Sequence, residues 1–160
     1  MLTTAQQLIL KADIEADPVL SLKALNSDGS YDIATAYNKI ITPEFYAWRT
    51  DVQVDEIMRN GIDWTQVDNL SVGKARIWDW MAKLGTLNAA KVNIRAGIDA
   101  VWVGTAPMLA VRAAIYLHCN RATTRLEKLF ATGTGTQVSP ATMVVEGTIS
   151  YQDVDLARSN

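Results

Sequence analysis

Apolar side chains recur every three or four positions through most of this chain, which is the spacing of one face of an α-helix. Capping residues, prolines and glycines divide this pattern into segments, because they favour the ends of helices. The predicted helices cover residues 4–16, 18–25, 31–40, 44–48, 51–60, 72–84 and 89–103. Gly61 would end the fifth helix as its C′ residue. The pattern therefore predicts an all-α fold, a helical bundle of six to eight helices within residues 1–131.

The last predicted helix is the longest and begins at Pro107. Its apolar stripe runs through Met108, Val111, Ile115, Leu126 and Leu129, and it is expected to continue to about Ala131. About 26 residues at 1.5 Å each would make this helix about 39 Å long. One face of it is predicted to pack on the other helices.

After Phe130 the composition changes. Residues 132–140 contain Gly133 and Gly135 among threonines and are predicted to form a flexible hinge. Residues 143–151 are the only stretch with strong β-type composition, so an extended β-strand arm is predicted there. A single strand cannot satisfy its own backbone groups, which indicates pairing with another chain. The predicted organisation is a helical domain over 1–131, followed by a linker and docking arm over 132–160.

Several residues of this arm are predicted to form a partner interface. Alternate side chains of a strand point to opposite faces, so one set would face the partner. Truncation after Ala131 is expected to keep the helical fold and abolish docking. The predicted interface residues of the arm are Met143, Val144, Val145, Ile149 and Tyr151.

Composition places the chain among ordinary globular proteins. Of its 160 residues, 49 % are apolar and 20 % are charged, which argues against wholesale disorder. No apolar run reaches the roughly 18 to 20 residues that cross a bilayer. The first residues do not resemble a signal peptide, and the single cysteine, Cys119, excludes an internal disulfide. The expectation is synthesis in a cytoplasm and no membrane partner.

Charge is divided unevenly along the sequence. Residues 1–70 carry eleven acidic and five basic side chains, whereas residues 71–130 carry three acidic and nine basic ones. The two regions can neutralise each other within one chain. They can equally attract neighbouring copies in a head-to-tail ring.

The sequence offers little for catalysis or for a cofactor. His118 and Cys119 are adjacent, but neighbouring helix positions point about 100° apart, so they do not form a catalytic pair by themselves. With one histidine and no ligand spacing among the carboxylates, no metal site is predicted. Val72-Gly-Lys-Ala75 lacks the first glycine and the final Ser or Thr of a phosphate-binding loop. No catalytic residues, metal or cofactor are therefore predicted.

Two further groups of residues are candidates for interfaces. Arg121, Arg125 and Lys128 are spaced to share one face of the predicted long helix, where they would contact nucleic-acid phosphates, an acidic neighbouring subunit or solvent. Trp78 and Trp80 would lie on different faces of their helix, so only one of them can enter the core. The other is a candidate interface residue, since aromatic side chains are favoured there.

Several sequence segments resemble a group of small proteins encoded in the structural-gene modules of tailed bacteriophages. The resemblance spans most of residues 40–155. The segments are Phe45-Tyr-Ala-Trp-Arg-Thr50, Asn93-Ile-Arg-Ala-Gly97, Arg125-Leu-Glu-Lys-Leu-Phe-Ala-Thr-Gly-Thr-Gly135 and Pro140-Ala-Thr-Met-Val-Val-Glu-Gly147.

This resemblance implies a non-enzymatic head–tail connector (adaptor) in the neck of a virion, made in the host cytoplasm. Its copies would form a dodecameric ring beneath the portal protein, contact a tail-side neck or terminator protein, and line a channel that holds packaged DNA. The arm would dock on the portal by strand addition. The alternatives are a tail-terminator protein, a minor capsid protein, and an intracellular DNA-binding protein that uses the Arg121/Arg125/Lys128 face.

Overall fold

The computed structural model describes residues 1–60 and 62–160, so the predicted role of Gly61 lies outside the described residues. The fold is mainly helical, which confirms the predicted class at that level. The helices are α1 (Thr4–Ala16), α2 (Ser27–Tyr37), α3 (Val54–Asn60), α4 (Trp64–Val67), α5 (Val72–Ala82), α6 (Val92–Val101), α7 (Ala106–His118), α8 (Arg125–Leu129) and α9 (Tyr151–Ser159). The short strands are β1 (Tyr46–Trp48), β2 (Val52–Gln53), β3 (Thr86–Leu87) and β4 (Asn120–Ala122).

The chain forms two compact units, and each is built from separate stretches of sequence. Unit 1 comprises residues 1–45, 122–132 and 143–160, and unit 2 comprises residues 46–121 and 133–142. Unit 1 has ten acidic and six basic side chains, for a net charge of −4. Unit 2 has seven acidic and nine basic side chains, for a net charge of +2. This division differs from the predicted boundary between residues 131 and 132.

Unit 1 is held together by a core to which its three segments all contribute. Helix α1 begins with a capping box, because Thr3 and Gln6 each accept a hydrogen bond from the other's backbone N–H, as its sequence predicts. Helix α9 packs against α1 and α2. The buried side chains are those of Leu2, Leu10, Ile14, Leu20, Ile33, Ala34, Tyr37, Leu126, Phe130, Ile149, Val154 and Ala157.

Unit 2 has its own core, centred on Trp102, which is fully buried. Trp78 meets Trp102 edge to face, with ring centroids 5.4 Å apart. Two small sheets join the ends of its helices: β1 pairs with β4, and β2 pairs antiparallel with β3, with Val52 opposite Leu87. The helix predicted over residues 44–48 is wrong, because Tyr46 and Trp48 exchange backbone hydrogen bonds of 2.9 Å with Ala141 instead.

The long helix predicted from Pro107 to Ala131 is also wrong. Helix α7 ends at His118, and the side chain of Asn120 donates to the carbonyl of Tyr116 at 2.7 Å. The chain then forms β4, and a new helix, α8, starts at Arg125. Thr124 and Glu127 form a capping box there, which fixes the start of α8. Arg121 therefore lies in a strand, and it does not share a helix face with Arg125 and Lys128.

The predicted strand over residues 143–151 is wrong as well, since no strand forms there, and the backbone of Gly147 and Ile149 bonds to side chains of unit 1 instead. The side-chain amide of Asn38 donates to the carbonyl of Ile149 at 2.9 Å and accepts from its N–H at 3.0 Å. The buried carboxylate of Glu127 accepts from Gly147 N–H at 3.0 Å. Ser150 then caps α9. These residues are thus part of the fold of unit 1 and not a separate arm.

Candidate interaction surfaces

Helix α5 presents an exposed apolar stripe. Val72, Arg76 and Trp80 recur at intervals of four along this helix, and Leu84 follows just beyond its end. Trp80 is 61 % exposed, whereas Trp78 is 5 % exposed and belongs to the core. The predicted separation of the two tryptophans onto different faces is therefore confirmed. We call Val72, Arg76, Trp80 and Leu84 the α5 stripe.

The composition of the α5 stripe is typical of a protein interface. Tryptophan and arginine are enriched among the residues that dominate binding energy, and the tryptophan ring buries a large area. The stripe places exposed apolar side chains on both sides of an exposed arginine. The stripe is therefore the strongest candidate on unit 2 for contact with another protein.

Unit 2 also contains a cleft of about 530 Å³, which we call the Trp48 cleft. The guanidinium carbon of Arg95 lies 4.9 Å from the centroid of the Trp48 ring, and Tyr116 approaches the same ring edge-on at 5.4 Å. Arg95 also donates to the carbonyl of Ala89 at 2.6 Å, which fixes its position over the ring. The aromatic floor of the cleft is thus rigidly packed.

The polar wall of the Trp48 cleft contains Asp99 and Arg112. The Tyr116 hydroxyl donates to Asp99 at 2.9 Å, and Arg112 lies 3.4 Å from the same carboxylate. Burial, together with this hydrogen bond, raises the pKa of Tyr116 above its ordinary value, so the phenol stays protonated at neutral pH. With Arg95, the wall carries two positive charges and one negative charge.

The rim of the cleft is formed by the loop that contains the predicted hinge glycines. Gly133 and Gly135 have φ angles of 128° and 69°, which favour glycine. The carbonyl of Gly135 accepts from Tyr46 N–H at 2.7 Å, and Thr136 and Ser139 exchange backbone hydrogen bonds. Hydrogen bonds thus tie this loop to β1 and to itself, and a hinge role for Gly133 and Gly135 stays a prediction.

His118 and Cys119 lie at the end of α7 in a network of structural contacts. Arg49 binds both oxygens of Glu56 at 2.9 and 3.1 Å and donates to the carbonyl of His118. These hydrogen bonds hold the pKa of Glu56 below its ordinary value. Burial raises the pKa of the Cys119 thiol to about 12, so a reactive thiolate is not formed at neutral pH.

Arg125, a predicted partner-binding residue, is engaged within unit 1. It pairs with Asp17 at 2.6 Å and with Asp13 at 2.8 Å, and its guanidinium carbon lies 4.6 Å from the centroid of the Tyr37 ring. The Tyr37 hydroxyl also donates to Asp13. Lys128 is exposed and lies over the Phe45 ring. The structure thus gives Arg125 a role in stability.

The predicted interface residues of the C-terminal region differ in exposure. Ile149 is buried in the core of unit 1, and Met143 and Val145 are half-buried. Val144 and Tyr151 are exposed. Only these last two side chains are well placed to contact a partner without a change in unit 1.

Asp17 makes the stability of unit 1 sensitive to acid. Hydrogen bonds from Leu20 N–H and Arg125 lower its pKa to about 2 from 3.8. Because the folded pKa is depressed, the stabilisation by this carboxylate is present above about pH 4 and is lost as the pH falls towards 2. We expect the difference in the free energy of unfolding between wild type and Asp17→Asn, measured with urea, to shrink over this range. An equal difference at pH 6 and pH 2.5 would contradict this assignment.

Within residues 1–60 and 62–160, no group of three or more His, Cys, Asp or Glu side chains is arranged to hold a metal ion. In the same ranges, none of the helices combines the length and the apolar character needed to span a membrane.

Comparisons of the chain with protein-family models, with curated proteins and with solved structures find no match.

Proposed function

We propose that this chain is a non-enzymatic virion protein of a tailed bacteriophage, made in the host cytoplasm and placed in the neck of the particle. It would act as a head–tail connector (adaptor), with its copies forming a dodecameric ring between the portal protein and a tail-side neck or terminator protein. The observation that carries the proposal is the α5 stripe, an exposed Trp-Arg-aliphatic surface on a folded unit.

The sequence resemblance to proteins of phage structural modules supports this proposal. Three of the segments that show this resemblance contain regular secondary structure. Residues 45–50 include β1, residues 93–97 lie in α6, and residues 125–135 begin with α8. Exposed apolar side chains occur in both units, as an assembling subunit requires. Opposite net charges on the two units also favour association of neighbouring copies.

The structure alters how docking would occur. Residues 143–151 are built into unit 1, so strand addition by an arm is not part of the proposal. We assign docking on the portal or on the tail-side protein to the α5 stripe. The structure does not favour the DNA-binding alternative. That alternative required Arg121, Arg125 and Lys128 to share one helix face, whereas Arg121 lies in β4 and the other two lie in α8.

Replacing Trp80 with alanine is expected to abolish head–tail joining while unit 2 stays folded, because this side chain is exposed and contributes nothing to the core. Truncation of an interface hot spot, a class in which tryptophan is enriched, costs about 2 kcal/mol or more of binding free energy. The readout is the yield of complete particles when the variant gene replaces the wild type. Trp64→Ala is the matched control, since Trp64 is 56 % exposed but lies outside the stripe. Equal yields for both variants would contradict the role of the α5 stripe.

The function itself is tested by deleting the gene from the phage that carries it. An adaptor is required only after the head has been packaged, so we expect DNA-filled heads and free tails, visible by electron microscopy. Tails of abnormal length would indicate a terminator. Normal infectious particles would contradict the proposal.

A further inference from the structure

Unit 1 carries a second exposed apolar feature, on the segment between α1 and α2. Val19, Leu22 and Leu25 project from it, and we call these three side chains the Leu25 ridge. Leu25 is 88 % exposed and Leu22 is 84 % exposed. Three exposed apolar side chains within seven residues offer an apolar surface to a partner.

Side-chain hydrogen bonds hold the backbone of the Leu25 ridge. The carboxylate of Asp17 accepts hydrogen bonds from Val19 N–H at 2.8 Å and from Leu20 N–H at 2.9 Å. Arg158 donates to the carbonyls of Lys23 at 2.7 Å and Ala24 at 2.9 Å. A backbone that is already held by such bonds loses less conformational entropy on binding than a free segment does.

The Trp48 cleft has an apolar rim that can receive such side chains. Its rim bears Leu109, Leu117 and Val138, all exposed, around the aromatic floor. Val138 is 95 % exposed. Apart from Met1, the three most exposed large apolar side chains of the described residues are Val138, Leu25 and Leu22, so they lie on these two surfaces.

Charge at the ridge comes from side chains of both signs. Lys23, between the two leucines, pairs with Asp32 at 2.7 Å. Asp28 lies three residues after Leu25, in the first turn of α2, and is exposed.

The cleft offers Arg95 and Arg112 against the single carboxylate of Asp99. The units that carry the two surfaces have net charges of −4 and +2. These opposite net charges favour contact between the ridge of one copy and the cleft of another.

We propose that the Leu25 ridge of one copy docks into the Trp48 cleft of the next copy. Leu22 and Leu25 would enter the cleft beside Val138, and Asp28 would pair with Arg112 or Arg95. Because the two surfaces differ, the contact is head-to-tail and repeats around a closed ring or along a filament. This inference rests on the proposed function in one respect, which is that copies of the chain associate with one another. It identifies the two surfaces that would form the contact between neighbouring subunits of the proposed ring.

The test uses two variants of the full chain that each disable one surface. Leu25→Glu places a carboxylate in the ridge, and Val138→Glu places one on the cleft rim. Both positions are highly exposed, so the fold is preserved and circular dichroism confirms it. Leu8→Glu, on the exposed face of α1 and outside both surfaces, is the matched control. Sedimentation equilibrium measures the mass of each variant and of their mixture, with 17.6 kDa for one chain.

We expect wild type and Leu8→Glu to form assemblies larger than a dimer, and each surface variant to associate at least about tenfold more weakly. Mixing the two surface variants should give dimers only, because one intact ridge meets one intact cleft. Assemblies unaffected by either substitution would overturn this interface while leaving ring formation, and the proposed function, intact. A wild-type chain that stays monomeric at about 1 mM would overturn the self-docking proposal, and would leave the virion role to be decided by gene deletion.

Discussion

Replacing Val154 with aspartate is expected to unfold unit 1 at moderate urea concentrations, because this fully buried side chain holds α9 against α1 and α2. The substitution removes apolar burial and places an unpaired carboxylate in the core, which together cost more than about 3 kcal/mol of the free energy of unfolding. Urea titration followed by circular dichroism measures the effect. Leu156→Asp on the exposed side of the same helix is the matched control, with an expected change within about 0.5 kcal/mol.

Equal unfolding midpoints for Val154→Asp and Leu156→Asp would show that α9 is not packed in solution. The same reasoning reverses the sequence-based expectation for truncation after Ala131. Such a truncation removes Ile149, Val154 and Ala157 from the core of unit 1, so loss of its helicity is now the expected result.

Replacing Arg125 with alanine is the second large effect that we expect. The change leaves the carboxylates of Asp13 and Asp17 without their shared partner and removes the contact with the Tyr37 ring. Breaking a buried ion pair costs about 3–5 kcal/mol, and partial exposure of this group reduces the expected loss of stability to about 2 kcal/mol. The free energy of unfolding is measured by urea titration.

Lys128→Ala is the control for Arg125→Ala, because Lys128 lies on the same helix and is exposed. Its expected effect is at most about 1 kcal/mol, from loss of the contact with the Phe45 ring. Arg125→Lys should recover only part of the stability, since an ammonium group cannot reproduce the two-pronged contact of a guanidinium. Similar losses for the alanine variants of Arg125 and Lys128 would contradict a structural role specific to Arg125.

Local signals in the sequence predict the helices that carry them. Thr3 and Gln6 predict the start of α1, and Ser71 predicts the start of α5, because capping depends on residues three positions apart. A capping signal also marks the position where the predicted long helix is interrupted. Thr124 and Glu127 form a capping box that is readable from the sequence, but the apolar periodicity through Leu126 and Leu129 outweighed it.

The fate of residues 143–151 could not be read from local signals. Their composition is typical of a strand, and the backbone does require partners. For Gly147 and Ile149 the partners are the side chains of Glu127 and Asn38, which lie far away in the sequence. No spacing rule connects Asn38 with Ile149, so the tertiary structure was needed to find this arrangement.

Among the candidate surfaces, too, only the feature with a local sequence signal could be predicted. The exposure of one tryptophan in α5 could be predicted, because Trp78 and Trp80 stand two positions apart and helical geometry places them on different faces. The Trp48 cleft could not, because Trp48, Arg95, Tyr116 and Val138 come from four separate segments. The Leu25 ridge could not be predicted either. It lies in a stretch predicted as a short helix, and the sequence of that stretch does not show which of its leucines are exposed.

The copy number of this chain in purified virions distinguishes an adaptor ring from other virion roles. Quantitative mass spectrometry gives the copy number relative to the portal protein and the major capsid protein. We expect about one copy for each portal subunit, since the two rings would share their symmetry. Absence of the chain from the particle, or hundreds of copies on the capsid, would contradict an adaptor ring.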